Sequence, residues 1–193
     1  MAATASTMLA LGTQAPDFQL PDVVSGQAFT LASFAPKKAL LVMFLSRHCK
    51  YVKHVQAELA RIGRDYAGAD IGIVAICAND ADAYPDDAPE SLRQQAEQAG
   101  FGFPYLHDAT QATAKAYTAA CTPDLFLFDA GRRLVYRGQL DDSRPGNERP
   151  VSGRDLRAAI DAVLADRPVD AAQRPSVGCN IKWKPGNEPE YFG

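Results

Sequence analysis

The stretch "FLSRHCKYVKH", residues 44–54, closes an apolar run and sets one thiol, Cys49, among Arg47, His48, Lys50, Lys53 and His54. A cysteine is nucleophilic as its thiolate, and a helix N-terminus or nearby cations lower a free thiol pKa of roughly 8.5. Both are expected here. The apolar run ends near Leu45 and an amphipathic pattern starts near Lys50, so the thiol is expected in the first helical turn, where backbone N–H groups lack partners. A depressed Cys49 pKa follows as an expectation. Ser46 fits as the N-cap, its hydroxyl accepting from the Cys49 amide. It equally fits the first position of a C-x-x-C pair, or the hydroxyl partner of a reactive thiol. Cys49 itself has a plain alternative as a small buried hydrophobe. Of the two histidines, His48 is the better placed to touch the thiolate. No second Cys/His pair with zinc spacing follows, so no metal site is expected. Neither a phosphate-cradling glycine loop nor a G-x-S-x-G elbow is present, and no cofactor is expected.

"ACTPDLFLF", residues 120–128, is the second feature. A proline just before a strand is an edge device or a cis turn. A cis Pro123 is expected, its loop with Thr122 facing the turn that carries Cys49 and bringing Cys121 close. Cys77 ends the buried run "GIVAIC" and reads as core. Cys49, Cys77, Cys121 and Cys179 are widely spaced in a chain large enough to fold without staples, so a structural disulfide framework is not expected. Redox chemistry is the better reason for any pairing.

The elements that must position these groups follow from periodicity. Residues 17–31 hold two short extended segments around "SG", a hairpin pattern, and 37–45 is a continuous apolar run suited to a strand buried on both faces. Val52, Val55, Leu59, Ile62 and Tyr66 recur at helical spacing up to Gly68. A second buried strand spans 70–77, and a helix spans 88–100, opened by Pro89 and closed by Gly100. "FPYLHD" is a short strand or link and "ATQATAKAYTA" a short helix. Residues 124–138 form a hairpin around "DAGR", and 152–166 form the last helix, opened by Ser152. The alternation predicts an α/β fold with parallel strands and helical crossovers. One domain is expected over 1–166, with an extended tail, 167–193, held on it by Cys179, Trp183 and Tyr191.

Composition bounds the function classes. The chain has 193 residues, 47% of them hydrophobic, with 20 basic against 23 acidic side chains and a net charge of −3. That balance gives no global attraction to nucleic acid or an anionic membrane. The N-terminal stretch lacks a positive region and a long apolar segment, so a soluble, cytoplasmic protein is expected. "DDSRPGNERP", residues 141–150, reads as a polar loop in which Arg144 could reach an anionic substrate such as glutathione.

A buried strand, a cysteine at the following helix, a βαβ unit, then "TPD" before a hairpin and a closing helix resemble the thioredoxin fold of the AhpC/TSA, peroxiredoxin-like family. The stretches "SRHCKYVKH", "NDADAYPDDAPE", "ACTPDLFLFD", "YRGQLDDSRPGN" and "PSVGCNIKWK" are similar to those of one subgroup of small peroxiredoxin-like proteins, from about residue 12 to the end. The resemblance implies a central mixed sheet flanked by helices. This chain departs from the subgroup in having Ser46 where a redox pair begins with cysteine and Lys50 where proline follows it. What remains, S-x-x-C, is similar to the T-x-x-C of peroxiredoxins, which implies Cys49 as the peroxidatic residue and Ser46 as its partner. The peroxiredoxin proline is Val42 here and the expected arginine falls at about Pro123, leaving Arg47, His48 or the more distant Arg137 to activate the thiolate. The resemblance implies reduction of a peroxide or a protein disulfide, with Cys121, Cys179 or an external thiol as resolving group. The reductant would be a thioredoxin-like protein or a small thiol. A non-catalytic thioredoxin-fold module that grips extended peptides at the Pro123 loop is the alternative.

Overall fold

The computed structural model describes residues 3–192; residues 1, 2 and 193, which end the two segments expected from sequence, lie outside the described residues. The elements run in chain order as β1 (Ala3–Ala5), β2 (Gln19–Pro21), β3 (Ala28–Thr30), β4 (Ala39–Phe44) and α1 (Lys50–Asp65). Next come β5 (Ile71–Cys77), α2 (Pro89–Ala99), β6 (Tyr105–His107), α3 (Ala112–Ala116) and β7 (Cys121–Thr122). The chain finishes with β8 (Asp124–Phe128), β9 (Leu134–Arg137), α4 (Arg154–Leu164) and β10 (Val177–Asn180).

The central sheet has the order β6-β5-β4-β8-β9. β4 pairs in parallel with β5 and antiparallel with β8, so the sheet is mixed and the thioredoxin-like architecture is the one expected. Every residue of β4 is buried. Leu41 and Met43 enter one core, with Val52, Val55, Leu59 and Ile62 of α1. Leu40, Val42 and Phe44 enter the other, with Phe126 and Phe128. The two-residue period of a strand therefore feeds both layers. Each large side chain fully buried in this way contributes roughly 1.5–3 kcal/mol relative to exposure.

The remaining elements follow their local signals with small shifts. β2 and β3 form the expected hairpin. α2 starts at Pro89 and ends at Gly100, whose φ of 69° is the left-handed cap conformation that glycine adopts without a Cβ penalty. The β8–β9 hairpin is antiparallel, with an irregularity between Leu127 and Phe128. α1 ends at Asp65 with Tyr66 as its C-cap, two residues before the expected stop at Gly68. α4 differs at its start: Gly153, not Ser152, is the N-cap. The reason is Asp141, whose carboxylate accepts the Ser152 and Gly153 amides at 2.6 and 2.7 Å.

Three strands, β1, β7 and β10, go beyond the sequence reading. β10 lies within the stretch expected to be an extended tail, and it pairs antiparallel with both β1 and β7. Downstream, Trp183 is buried and meets Tyr191 edge-on at 6.4 Å. Among the described residues, no helix is long and apolar enough to cross a membrane.

Candidate active site

β4 and β8 are antiparallel neighbours with Phe44 opposite Asp124, so the loop leaving β4 and the loop entering β8 lie side by side. The Thr122–Pro123 peptide in the second loop is cis, as expected. Across this junction the Cys49 thiol donates to the Thr122 carbonyl oxygen at 3.0 Å. Cys49 is fully buried. It is the N-cap of α1, with extended backbone, and its carbonyl accepts the Lys53 amide at 3.0 Å. The thiol thus sits one residue before the first turn, where the positive end of the helix dipole lies.

Ser46 does not cap α1. Cys49 occupies that position, and the Ser46 hydroxyl donates to the carboxylate of Asp87, 3.1 Å from each oxygen. Asp87 was not singled out from the sequence. It is fully buried and also accepts from the Arg47 amide at 2.7 Å, the His48 amide at 3.4 Å, the Asn79 side chain at 2.7 Å and His48 Nδ1 at 2.5 Å. Burial pushes the carboxyl pKa up, but the His48 and Asn79 bonds, the His48 charge and the Arg47 amide together hold it below the ordinary value. One buried anion therefore ties down the whole segment that precedes the thiol.

His48 is engaged with this carboxylate, and among the described residues it has no hydrogen bond to the Cys49 sulfur. An ionised oxygen is a much stronger acceptor for Nδ1–H than a thiol. The His48 ring stacks on Tyr84 at 5.3 Å, and its Nε2 is buried without a partner.

The surrounding cations are used elsewhere. Arg47 lines a surface cleft of about 320 Å³ with Lys53, Gln56 and Gln95. Lys50 is exposed and lies over the Tyr51 ring, while His54 Nε2 meets the Ser143 hydroxyl at 2.7 Å. The Arg144 guanidinium is taken by the Asp141 and Ser143 carbonyls and by Gln139, which leaves it a brace of its own loop. Arg137 bonds the Leu9 carbonyl and pairs in register with Phe126, so it faces the sheet side opposite Cys49. It is too badly placed to activate the thiolate directly.

Three cysteines converge instead. Register pairs Cys179 with Thr122 and Asn180 with Cys121. Cys179 thereby reaches the residue whose carbonyl holds Cys49, and both thiols belong to one buried cluster. Burial, then the adjacent Cys49 sulfur, push the Cys179 pKa up to about 11, against a smaller downward pull from the Lys50 amide. Cys121 lies under the cis-proline loop, its thiol 3.6 Å from the Pro123 carbonyl oxygen. Burial, then Asp124, Cys49 and Cys179, hold its pKa well above the usual value. Cys77 is a fully buried core residue, its pKa raised by burial and by Asp87. All four cysteines are free thiols.

Behind the loop, on the other sheet face, Asp124 is fully buried and accepts the Ala120 amide at 3.1 Å. Burial raises its pKa to about 7, against weaker opposition from the Ala120 amide, Ser6, the Cys121 amide and Arg137.

A thiol at a strand-to-helix junction facing a cis-proline loop defines a thioredoxin-fold protein of the redox class. The chain belongs to the AhpC/TSA family, whose sequence profile matches residues 11–137. It is similar in structure to an uncharacterized conserved protein from Geobacillus kaustophilus, at 52% identity and a TM-score of 0.94, covering 96% of this chain and 98% of that one. A hypothetical protein from Sinorhizobium meliloti is similar at 53% identity and a TM-score of 0.93, covering 95% and 100%. The thioredoxin domain of a thiol-disulfide oxidoreductase from Bacteroides vulgatus shares the fold at 18% identity and a TM-score of 0.57, over 67% of this chain and 88% of that one. None of the curated proteins compared matches this chain.

Proposed function

We propose that this protein is a thiol peroxidase in which Cys49 is the attacking thiolate and Cys179 the resolving thiol. The observation that carries the reading is the register of β10, which sets Cys179 opposite Thr122, the acceptor of the Cys49 thiol. Cys49 thiolate attacks a peroxide, the O–O bond breaks, and a sulfenic acid forms as the peroxide takes two electrons. Cys179 then attacks the sulfenic sulfur, its S–H proton leaving with the displaced hydroxide as water, and a Cys49–Cys179 disulfide forms. Complete burial of Cys49 favours a peroxide over a protein disulfide, since only a small oxidant can reach an enclosed sulfur. A thioredoxin-like protein or a small thiol would reduce the disulfide afterwards.

The test is mass spectrometry of the protein after stoichiometric hydrogen peroxide, with and without Cys179→Ser. The expected result is a Cys49–Cys179 disulfide in the parent chain and a trapped Cys49 sulfenic acid in the variant. A Cys49–Cys121 disulfide would reassign the resolving thiol. A Cys49 that ignores peroxide would return the chain to the alternative of a non-catalytic peptide-binding module.

A further inference from the structure

The packing of α1 against α2 leaves a cleft whose charge is one-sided. Lys53 and Gln56 stand three residues apart on α1, Gln95 and Gln98 three apart on α2, and residues at that spacing share a helix face. These two stripes and Arg47, from the loop before α1, line a cleft of about 320 Å³. Among the described residues, no carboxylate lines it.

The acidic side chains that could neutralise the cleft are spent on other cations. On α1, Glu58 pairs with Arg61 and Arg157, and Asp65 pairs with Arg157. On α2, Glu90 and Glu97 both pair with Arg93. Among the described residues, neither the Arg47 guanidinium nor the Lys53 ammonium has an ion-pair or hydrogen-bond partner. The Arg47 backbone is nonetheless pinned, since its amide donates to Asp87 at 2.7 Å.

The deepest side chain of the cleft is polar as well. Gln95 is only 4% exposed. Its Oε1 accepts from the Tyr105 hydroxyl at 3.4 Å, and its Nε2 donates to Gln56 Oε1 at 3.5 Å. Both bonds are long, and an amide nitrogen carries two N–H groups, so Nε2 keeps a donor for a further partner. Two cations and a buried amide in one cleft suit charged oxygen atoms, with the planar Arg47 fork matched to a carboxylate. A water takes roughly 30 Å³ of liquid, so the cleft has room for about ten waters' worth of ligand. An inorganic anion would leave most of that space empty.

We propose that the cleft between α1 and α2 binds a small organic acid with two or more carboxylates, one seated on Arg47 and another on Lys53. Gln56, Gln95 and Gln98 contact the atoms between them. The site requires no reaction at Cys49, so it stands apart from the thiol chemistry.

Citrate and succinate are the probes, added to the intact chain and followed by calorimetry and by amide NMR shifts. Saturable binding of both is expected, with the side-chain amide signals of Gln56, Gln95 and Gln98 moving during the titration. Acetate, with one carboxylate, and inorganic phosphate, too small to fill the cleft, are each expected to bind at least about tenfold more weakly. Arg47→Gln and Lys53→Gln are each expected to weaken citrate by about tenfold or more, the loss of one charge-assisted contact. Arg64→Gln removes the same charge from an exposed position about three turns further along α1, and is expected to change binding by less than about twofold. Equal weakening by Arg64→Gln would assign the attraction to diffuse surface charge and overturn the proposal. Phosphate binding as tightly as citrate would overturn it too, as would the absence of saturable binding by either acid up to about 10 mM.

Discussion

Cys179 stands directly across the β10–β7 ladder from Thr122, the residue whose carbonyl oxygen accepts the Cys49 thiol at 3.0 Å. Strand β10 therefore brings a second sulfur to the thiol of Cys49, which has Ser46 in place of a cysteine three residues before it.

The Cys49 sulfur lies close enough to Cys179 to shape its titration. Cys179 is raised to about 11 by burial first and by the Cys49 sulfur second. Cys49→Ser removes the second cause and leaves the first. The onset of Cys179 alkylation, followed against pH by mass spectrometry, is expected to move to lower pH but to stay above the roughly 8.5 of an ordinary thiol. An onset unchanged by Cys49→Ser would show that the sulfurs do not interact.

Gly178 is the residue that allows β10 to approach the cis-proline loop. A Cβ there would lie 1.9 Å from the Thr122 carbonyl oxygen and 2.5 Å from its carbon, and both are backbone atoms. Gly178→Ala is expected to push β10 off β7, lower stability by about 1–3 kcal/mol, and slow formation of the Cys49–Cys179 disulfide. Urea unfolding and the rate of disulfide formation check the two effects separately.

Asp124 should give the protein a slope of stability with pH that opposes the usual one. Its folded pKa is raised to about 7. In the unfolded chain it titrates near 3.9, so between about pH 4 and pH 7 the folded state binds more protons than the unfolded state. Its contribution to stability therefore falls as pH rises through that window. Asp87, lowered in the folded state, contributes with the opposite sign, losing stability as pH falls. Asp124→Asn is expected to gain stability relative to the parent at pH 7 but not at pH 4, as read from urea midpoints at the two values.

Ser46 separates framework from chemistry. Its hydroxyl spends its proton on Asp87 at 3.1 Å. Ser46→Ala is expected to cost about 1 kcal/mol of stability, the usual worth of one buried hydrogen bond. Peroxide reduction should slow by less than about tenfold, because Asp87 keeps its contacts to His48, Asn79 and the Arg47 amide. A much larger loss would assign Ser46 a direct role in orienting peroxide.

The sequence by itself determined the sheet, the helices and the thiol at their junction. β4 was legible because six consecutive apolar residues can be buried on both faces of a strand, α1 because Val52, Val55, Leu59 and Ile62 share one helical stripe, and the cis-proline loop because Pro123 immediately precedes a strand. These are local signals, each contained within a few residues. Only the tertiary structure decided how the thiol is surrounded. Ser46 fitted a cap and a partner of the thiol equally well until the fold began α1 at Lys50 with Cys49 as its N-cap and gave the Ser46 hydroxyl a carboxylate acceptor in Asp87, 41 positions away. The same carboxylate drew His48 away from the sulfur, and nothing in "YPDDAPE" distinguishes Asp87 from its neighbour Asp86 before the chain is folded. Cys179 likewise depends on register: a slip of one residue in β10 would turn its side chain to the other face, and register is set by pairing with β7 and β1, partners more than fifty residues away in sequence.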